Sequence, residues 1–187
     1  MVKEISFQNI EQKLISECLA GNRLAQRELY EKLSSRMFSV CLRYVGDRDT
    51  ARDILHDGFI TLFSKLDNYR GDGSFDGWAR RIFVNTALMH LRKSDALKMA
   101  EPLDKPGAEV AIDSSVISKL DSKMLMTIVA QMPAGFRTVF NLFVIEGFTH
   151  QEIAKMLKIT EGGSRSQLSR ARVWLKERAK EFEKDLY

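Results

Sequence analysis

Apolar residues recur three and four positions apart through nearly the whole chain, and no strand-like alternation persists, so the sequence is committed to helices. The longest stripe runs Ala25, Leu29, Leu33, Met37, Val40 or Cys41, and Tyr44; Asn22 stands where a cap belongs and Gly46 where a left-handed residue ends the helix. A shorter helix is expected near residues 10–19. Another, over about 50–66, turns Ile54, Leu55, Phe59, Phe63 and Leu66 inward and repeats Asp49, Asp53 and Asp57 on a different face. Helical period returns over 76–93 after a glycine-rich stretch. From 94 to 121 it collapses: Pro102, Pro106 and Gly107 lie in an acidic segment that reads as a linker. Period resumes near residue 122, passes Pro133, which suits a first helical turn, and continues to Gly147. The expected fold is all-α: two small helical domains, 1–94 and 122–187, joined by a flexible linker, 95–121.

The run FTHQEIAKMLKITEGGSRSQLSRARVWLKERAK, residues 148–180, constrains function most. Thr149 and Glu152 have capping-box spacing, and Phe148 is placed to staple onto Ile153. The short helix they open would bury Ile153, Ala154 and Leu157. A turn at Lys158–Ile159 leads to Thr160, a second cap. The longer helix that follows would bury Leu168, Ala171, Leu175 and Phe182, and it shows Arg165, Ser169, Arg172, Lys176 and Lys180 on one stripe beside Ser166 and Arg170. Short helix, tight turn and longer basic helix is the helix-turn-helix plan. Net charge is only +4 over the chain, so its distribution decides the matter, and this run concentrates the basic residues. A solvated basic face would explain the charge alone. Cap, turn, buried stripe and one-sided charge together point to duplex DNA, with arginines in the first turns at base edges and later cations at phosphates.

The stretch YRGDGSFDGWARRIFVNTALMHLRK, residues 69–93, admits several readings. Its glycines do not form GxGxxG, and they follow a helix rather than a strand, which argues against a nucleotide cradle. Arg70-Gly71-Asp72 as an adhesion signal requires an extracellular protein. Trp78, Arg81, Asn85 and Arg92 share one helical face, and an aromatic, an amide and cations there suit an unstacked nucleic-acid strand. Trp78 fits the core equally, beside Ile82 and Phe83. Cys18 and Cys41 have no metal or redox spacing, and His56, His90 and His150 are scattered. The expectation is no metal, no cofactor and no catalytic constellation. The N-terminal residues lack a signal-peptide apolar run, and nothing is apolar enough to span a membrane, which leads to an expectation of a cytoplasmic protein.

Two stretches resemble one family. MPAGFRTVFNLFVIEGFTHQEIAKMLKITEGGSRSQLSRAR is similar to the promoter-reading C-terminal region of bacterial sigma factors of the extracytoplasmic-function (ECF) group. TARDILHDGFITLFSKLDNYRGDGSFDGWARRIFVNTALMHLRK resembles their N-terminal region, in the right order and with a linker between. The resemblance implies a dissociable subunit of RNA polymerase that is not an enzyme. Its partners would be core polymerase, through the beta-prime clamp helices and the beta flap, and promoter DNA, with an anti-sigma factor as a further expectation. Asp53, His56 and Asp57 fall at the family's polymerase-docking positions, although the family usually has Gln-Glu where this chain has His56-Asp57. Arg165, Ser166, Ser169, Arg170, Arg172 and Lys176 fall on the minus-35 recognition helix, with Gly163 where Thr is preferred and Gln167 where Arg is common. Asp72, Ser74, Phe75, Trp78, Arg81 and Asn85 fall where the family meets the melted minus-10 strand. Without the resemblance, a stand-alone helix-turn-helix regulator and a nucleic-acid enzyme stay open.

Overall fold

The computed structural model describes residues 12–94 and 122–185, with the side chains of 122–124 and 182–185 excepted; the linker expectation and the inward placement of Phe182 lie outside that description. Helix α1 covers residues 12–19. It is followed by α2 (Arg23–Val45), α3 (Arg48–Ser64), a 3-10 turn (Leu66–Asn68) and α4 (Phe75–Lys93). Then come α5 (Ser122–Gln131), α6 (Ala134–Phe140), a π-helical turn (Asn141–Ile145), α7 (His150–Leu157) and α8 (Glu161–Asp185). The protein is all-α, as expected. Packing divides it into two compact units, Met1–Cys41 with Arg48–Thr86 and Leu42–Asp47 with Ala87–Tyr187. Among the described residues no helix is long and apolar enough to cross a membrane.

In the first unit the expected stripe of α2 is buried, from Ala25 through Leu29, Leu33 and Met37 to Val40 and Cys41. Asn22 caps that helix, its side-chain oxygen accepting from the Leu24 N–H at 3.0 Å. On α3, Ile54, Leu55 and Phe59 face the core, but Leu62 rather than Phe63 is the fully buried residue of the last turn. Phe59 meets the Phe83 ring edge-on at 5.1 Å between centroids and also lies against Tyr30 at 4.4 Å. At the centre of this contact Gly58 presents bare backbone to Phe83, and a Cβ there would overlap the ring.

The second unit is built around α8, with α5, α6 and α7 packed on it. Ile128, Val129, Val139, Phe140, Leu142, Ile153, Leu168, Ala171 and Leu175 form its interior. Pro133 sits at the cap of α6, one residue earlier than its sequence position suggested. Arg137 is also buried, its guanidinium donating to main-chain carbonyls, and desolvation pulls its pKa below the ordinary arginine value. That cation is consumed internally and contributes nothing to an outer basic face.

Gly58→Ala should destabilise the first unit by about 1–3 kcal/mol, the usual penalty of overpacking. The chain has two tryptophans, one in each unit, so urea unfolding followed by Trp78 emission in a Trp174→Phe background reads this unit alone. Adding Phe83→Leu should recover part of the loss. An unchanged midpoint for Gly58→Ala would refute the close approach.

Candidate nucleic-acid interface

The helix-turn-helix is assembled by local chemistry. Thr149 Oγ1 accepts the Glu152 N–H at 3.3 Å, and Glu152 Oε2 accepts the Thr149 N–H at 2.8 Å, so both halves of the capping box are made. Lys158 ends α7 in the left-handed conformation, φ 57°, with its N–H on the Ala154 carbonyl. Thr160 caps α8, its hydroxyl accepting the Gly163 N–H at 2.9 Å. Ile153, Leu157, Leu168, Ala171 and Leu175 are buried as expected, whereas Ala154 is only half-buried.

On the outer side of α8, Arg165 and Lys176 are exposed and Arg170 and Arg172 half-buried. Arg165 lies 2.6 Å from Glu161, one turn earlier. Two expectations need correction. Ser166 and Ser169 are 8% and 7% exposed, so neither hydroxyl is open to a base edge in this structure. A serine reaches one atom beyond Cβ and is withdrawn by any covering group, while arginines on the same helix reach past it. Arg178 does not belong to that face: it lies over the Trp174 ring at 5.5 Å and pairs with Glu181 at 2.6 Å.

The glycine loop of the first unit is closed on itself. Gly71 and Gly73 take φ of 80° and 94°, and Tyr69 Oη donates to the Gly73 carbonyl at 2.8 Å. Beneath it Tyr69, Phe75 and Trp78 pack as a trio with centroids 5.1–5.6 Å apart. Phe75 is 1% exposed, so this residue, expected at the strand, instead supports the loop from the core. Its ring is fully apolar and is the buried residue of the first turn of α4. Trp78 is half-buried and so belongs to both readings of it. Ser74 is the cap of α4, its Oγ accepting the Gly77 N–H at 3.1 Å, and Asp72 is exposed. Arg81 and Asn85 are both exposed, one turn apart on α4.

On α3, Asp53, His56 and Asp57 are exposed, and Asp53 and Asp57 stand outside the ion pairs seen among the described residues. Ile60, 56% exposed, continues the same face. Sequence reasoning missed it, although an apolar residue seven positions after Asp53 and three after Asp57 was a readable signal. Beside this face Tyr30, Phe38, Arg48, Arg52 and His56 line a groove of about 520 Å³. Among the described residues, no three His, Cys, Asp or Glu side chains converge on a metal position.

Comparison with known proteins matches residues 29–96 to the Sigma-70 region 2 model and residues 122–175 to the Sigma-70, region 4 model. The chain belongs to the sigma-70 family of RNA polymerase sigma factors, and to its ECF group. It is 30% identical over 176 residues to the RNA polymerase sigma-H factor of Pseudomonas aeruginosa, covering 88% of this chain and 91% of that one. Identity to the ECF RNA polymerase sigma-E factor of Escherichia coli K12 is 28% over 180 residues, 90% of this chain and 93% of the other. Two solved structures are similar at lower identity. One is CnrH in complex with the cytosolic domain of CnrY, with 21% identity, TM-score 0.44, 90% of this chain and 96% of that chain. The other is the sigma factor RpoE in complex with the anti-sigma factor NepR from Bartonella quintana, with 18% identity, TM-score 0.48, 81% of this chain and 94% of that chain. The protein is thus a promoter-specificity subunit: it binds core RNA polymerase and promoter DNA, directs transcription initiation and is not an enzyme.

Thr149→Ala removes the hydroxyl acceptor of the capping box, leaving the Glu152 carboxylate on the backbone N–H of residue 149, and should lower the stability of the second unit by about 1 kcal/mol. Thr149→Ser should keep most of it. Urea unfolding followed by Trp174 in a Trp78→Phe background measures this, and equal midpoints for Ala and Thr would show that the cap is idle.

Proposed function

We propose a division of labour between the two regions. A domain comprising residues 1–94 docks on the polymerase beta-prime clamp helices through Asp53, His56 and Asp57, and captures the melted minus-10 strand. A domain comprising residues 122–187 reads the minus-35 duplex and touches the beta flap, with residues 95–121 as the linker. The observation that carries this reading is the exposure of the two sets of polar residues: Arg165 and Lys176 on α8, and Arg81 and Asn85 on α4 beside the self-closed glycine loop.

Arg165 opens the second turn of α8, within the first two turns that a helix in the major groove sets against base edges, and an arginine there addresses guanine O6 and N7. Arg170 is offered to a base edge as Arg165 is, and Arg172 and Lys176 follow along the helix, suited to phosphates. Ser166 and Ser169 join this set only if their faces open on binding. On the other domain, Arg81 tracks backbone charge, Asn85 offers an amide to a base, and Asp72, Ser74 and the half-buried Trp78 border the place an extruded base would occupy; Phe75 holds them from below. DNA opening then needs no reaction, because binding single-stranded bases better than duplex shifts the melting equilibrium. The setting for this work is the bacterial cytoplasm. An anti-sigma partner remains an expectation of the family, to be sought by identifying what co-elutes with the native protein.

The decisive test adds purified protein to core polymerase and a matched promoter. Initiation only in its presence, with polymerase retained by the first domain alone, supports the proposed division. Tight sequence-specific binding by the free chain without a polymerase effect would favour a stand-alone regulator. Arg165→Ala or Arg170→Ala should cost about 1–3 kcal/mol at a matched minus-35 site and relax preference at one position. An equal loss on random DNA would confine that arginine to phosphate contact. Asn85→Ala should impair open-complex formation while polymerase binding stays intact, and normal permanganate reactivity of the minus-10 thymines would remove Asn85 from the site.

A further inference from the structure

His150 lies outside the faces assigned to DNA and polymerase, yet its ring is held on two sides. One face lies on Phe143, with centroids 4.4 Å apart and planes 21° from parallel. On its edge, Nδ1 is hydrogen-bonded to Ser164 Oγ at 2.9 Å. Phe143 belongs to the π-helical turn Asn141–Ile145, where the extra residue per turn displaces side chains from their α-helical positions. Ser164 is 0% exposed and stands in the first turn of α8, immediately before Arg165. A buried hydroxyl is seldom left without a partner, and His150 supplies it from the first residue of α7.

The start of α8 needs such a restraint. Gly162 and Gly163 occupy its first turn, and glycine leaves that backbone the widest conformational choice. Bidentate base readout tolerates errors of only about 0.5 Å and 10–20° in the side chain's support. We infer that His150 is a positioning residue for promoter recognition: through Ser164 it fixes the rotation of the first turn of α8 and thereby the direction in which Arg165 leaves the helix. Phe143 fixes the imidazole in turn. The inference rests on the minus-35 reading of Arg165 proposed above and adds to it the element that aims that arginine.

The test uses the full chain with core polymerase on two templates, a matched promoter and the same promoter with its minus-35 element scrambled. Ser164→Ala and His150→Ala should each reduce the matched-to-scrambled initiation ratio by roughly two- to tenfold, the range that one hydrogen bond supplies. His150→Asn, which retains a hydrogen-bonding group near the Nδ1 position, should restore part of the ratio. The double variant should be no worse than His150→Ala. Thermal unfolding of each variant fixes a temperature at which it is fully folded, and the ratio is read there, because unfolding of the unit that reads the minus-35 element would itself lower the ratio. An unchanged ratio in Ser164→Ala, with a normal melting profile, overturns the inference, as does an equal fall on both templates. Arg165→Ala in the same assay separates the two levels. If it collapses the ratio while the His150 and Ser164 variants do not, positioning alone is refuted. If it leaves the ratio intact, the minus-35 assignment fails and the inference fails with it.

Discussion

The approach of α3 to α4 at Gly58 and Phe83 determines what the first unit can show to a partner. Successive residues in a helix are about 100° apart, so positions two removed point to nearly opposite sides. Burying Phe83 therefore drives Arg81 and Asn85 outward together, so that both are exposed where Phe83 is covered. The same geometry on α3 sets Gly58 inward and sends His56 and Ile60, two residues either side, to the surface. One intimate contact thus orients both the face proposed for polymerase and the face proposed for the strand. Any side chain larger than hydrogen at 58 separates the helices and disturbs both faces at once.

The second unit reaches its arrangement differently, through polar groups at helix ends. Thr149, Glu152, Lys158 and Thr160 stop and start the backbone within twelve residues, and the apolar residues of α7 and α8 need only close the angle. The basic face is then smaller than the charge count suggests. Arg137 is consumed by carbonyls, Arg178 lies on the Trp174 ring beside Glu181, and Arg165 is paired with Glu161. That last pair is solvent-exposed, and exposed pairs contribute only about 0–1 kcal/mol. Arg165 can exchange Glu161 for a guanine edge at small cost, which a buried pair would not allow.

Most of the architecture was legible because helices announce themselves by period. The stripe of α2 and the described part of that of α8 appear where expected, and the caps at Asn22, Thr149 and Thr160 are readable because their residue types have a local reason to be there. What was not legible depends on atoms distant in sequence. Leu62 and Phe63 are equally apolar neighbours, and only packing decides which is inside. The exposure of a serine depends on what lies over it, so Ser166 and Ser169 were assigned to a face they do not openly occupy. The π-helical turn breaks the period on which the reading relied. His150 and Ser164 are fourteen residues apart and carry no period or motif, so their contact appears only once α7 and α8 are folded together. The resemblance to a family supplied roles for the surface residues, which period and charge could not.

The glycine loop illustrates why order in the free protein matters for melting DNA. A loop with two left-handed glycines would ordinarily lose considerable entropy on gripping a base, roughly 1–2 kcal/mol for each backbone residue fixed. Here the Tyr69 hydroxyl already bridges to the Gly73 carbonyl, and the rings of Phe75 and Trp78 already support the turn. Much of the ordering is complete before a strand arrives. Under the proposed reading, stacking and hydrogen bonding to an extruded base are therefore less offset by loop ordering. That difference is the work proposed for a subunit without a reaction of its own. Under that reading a loop ordered in advance favours strand capture, and the permissive glycines serve to place the backbone.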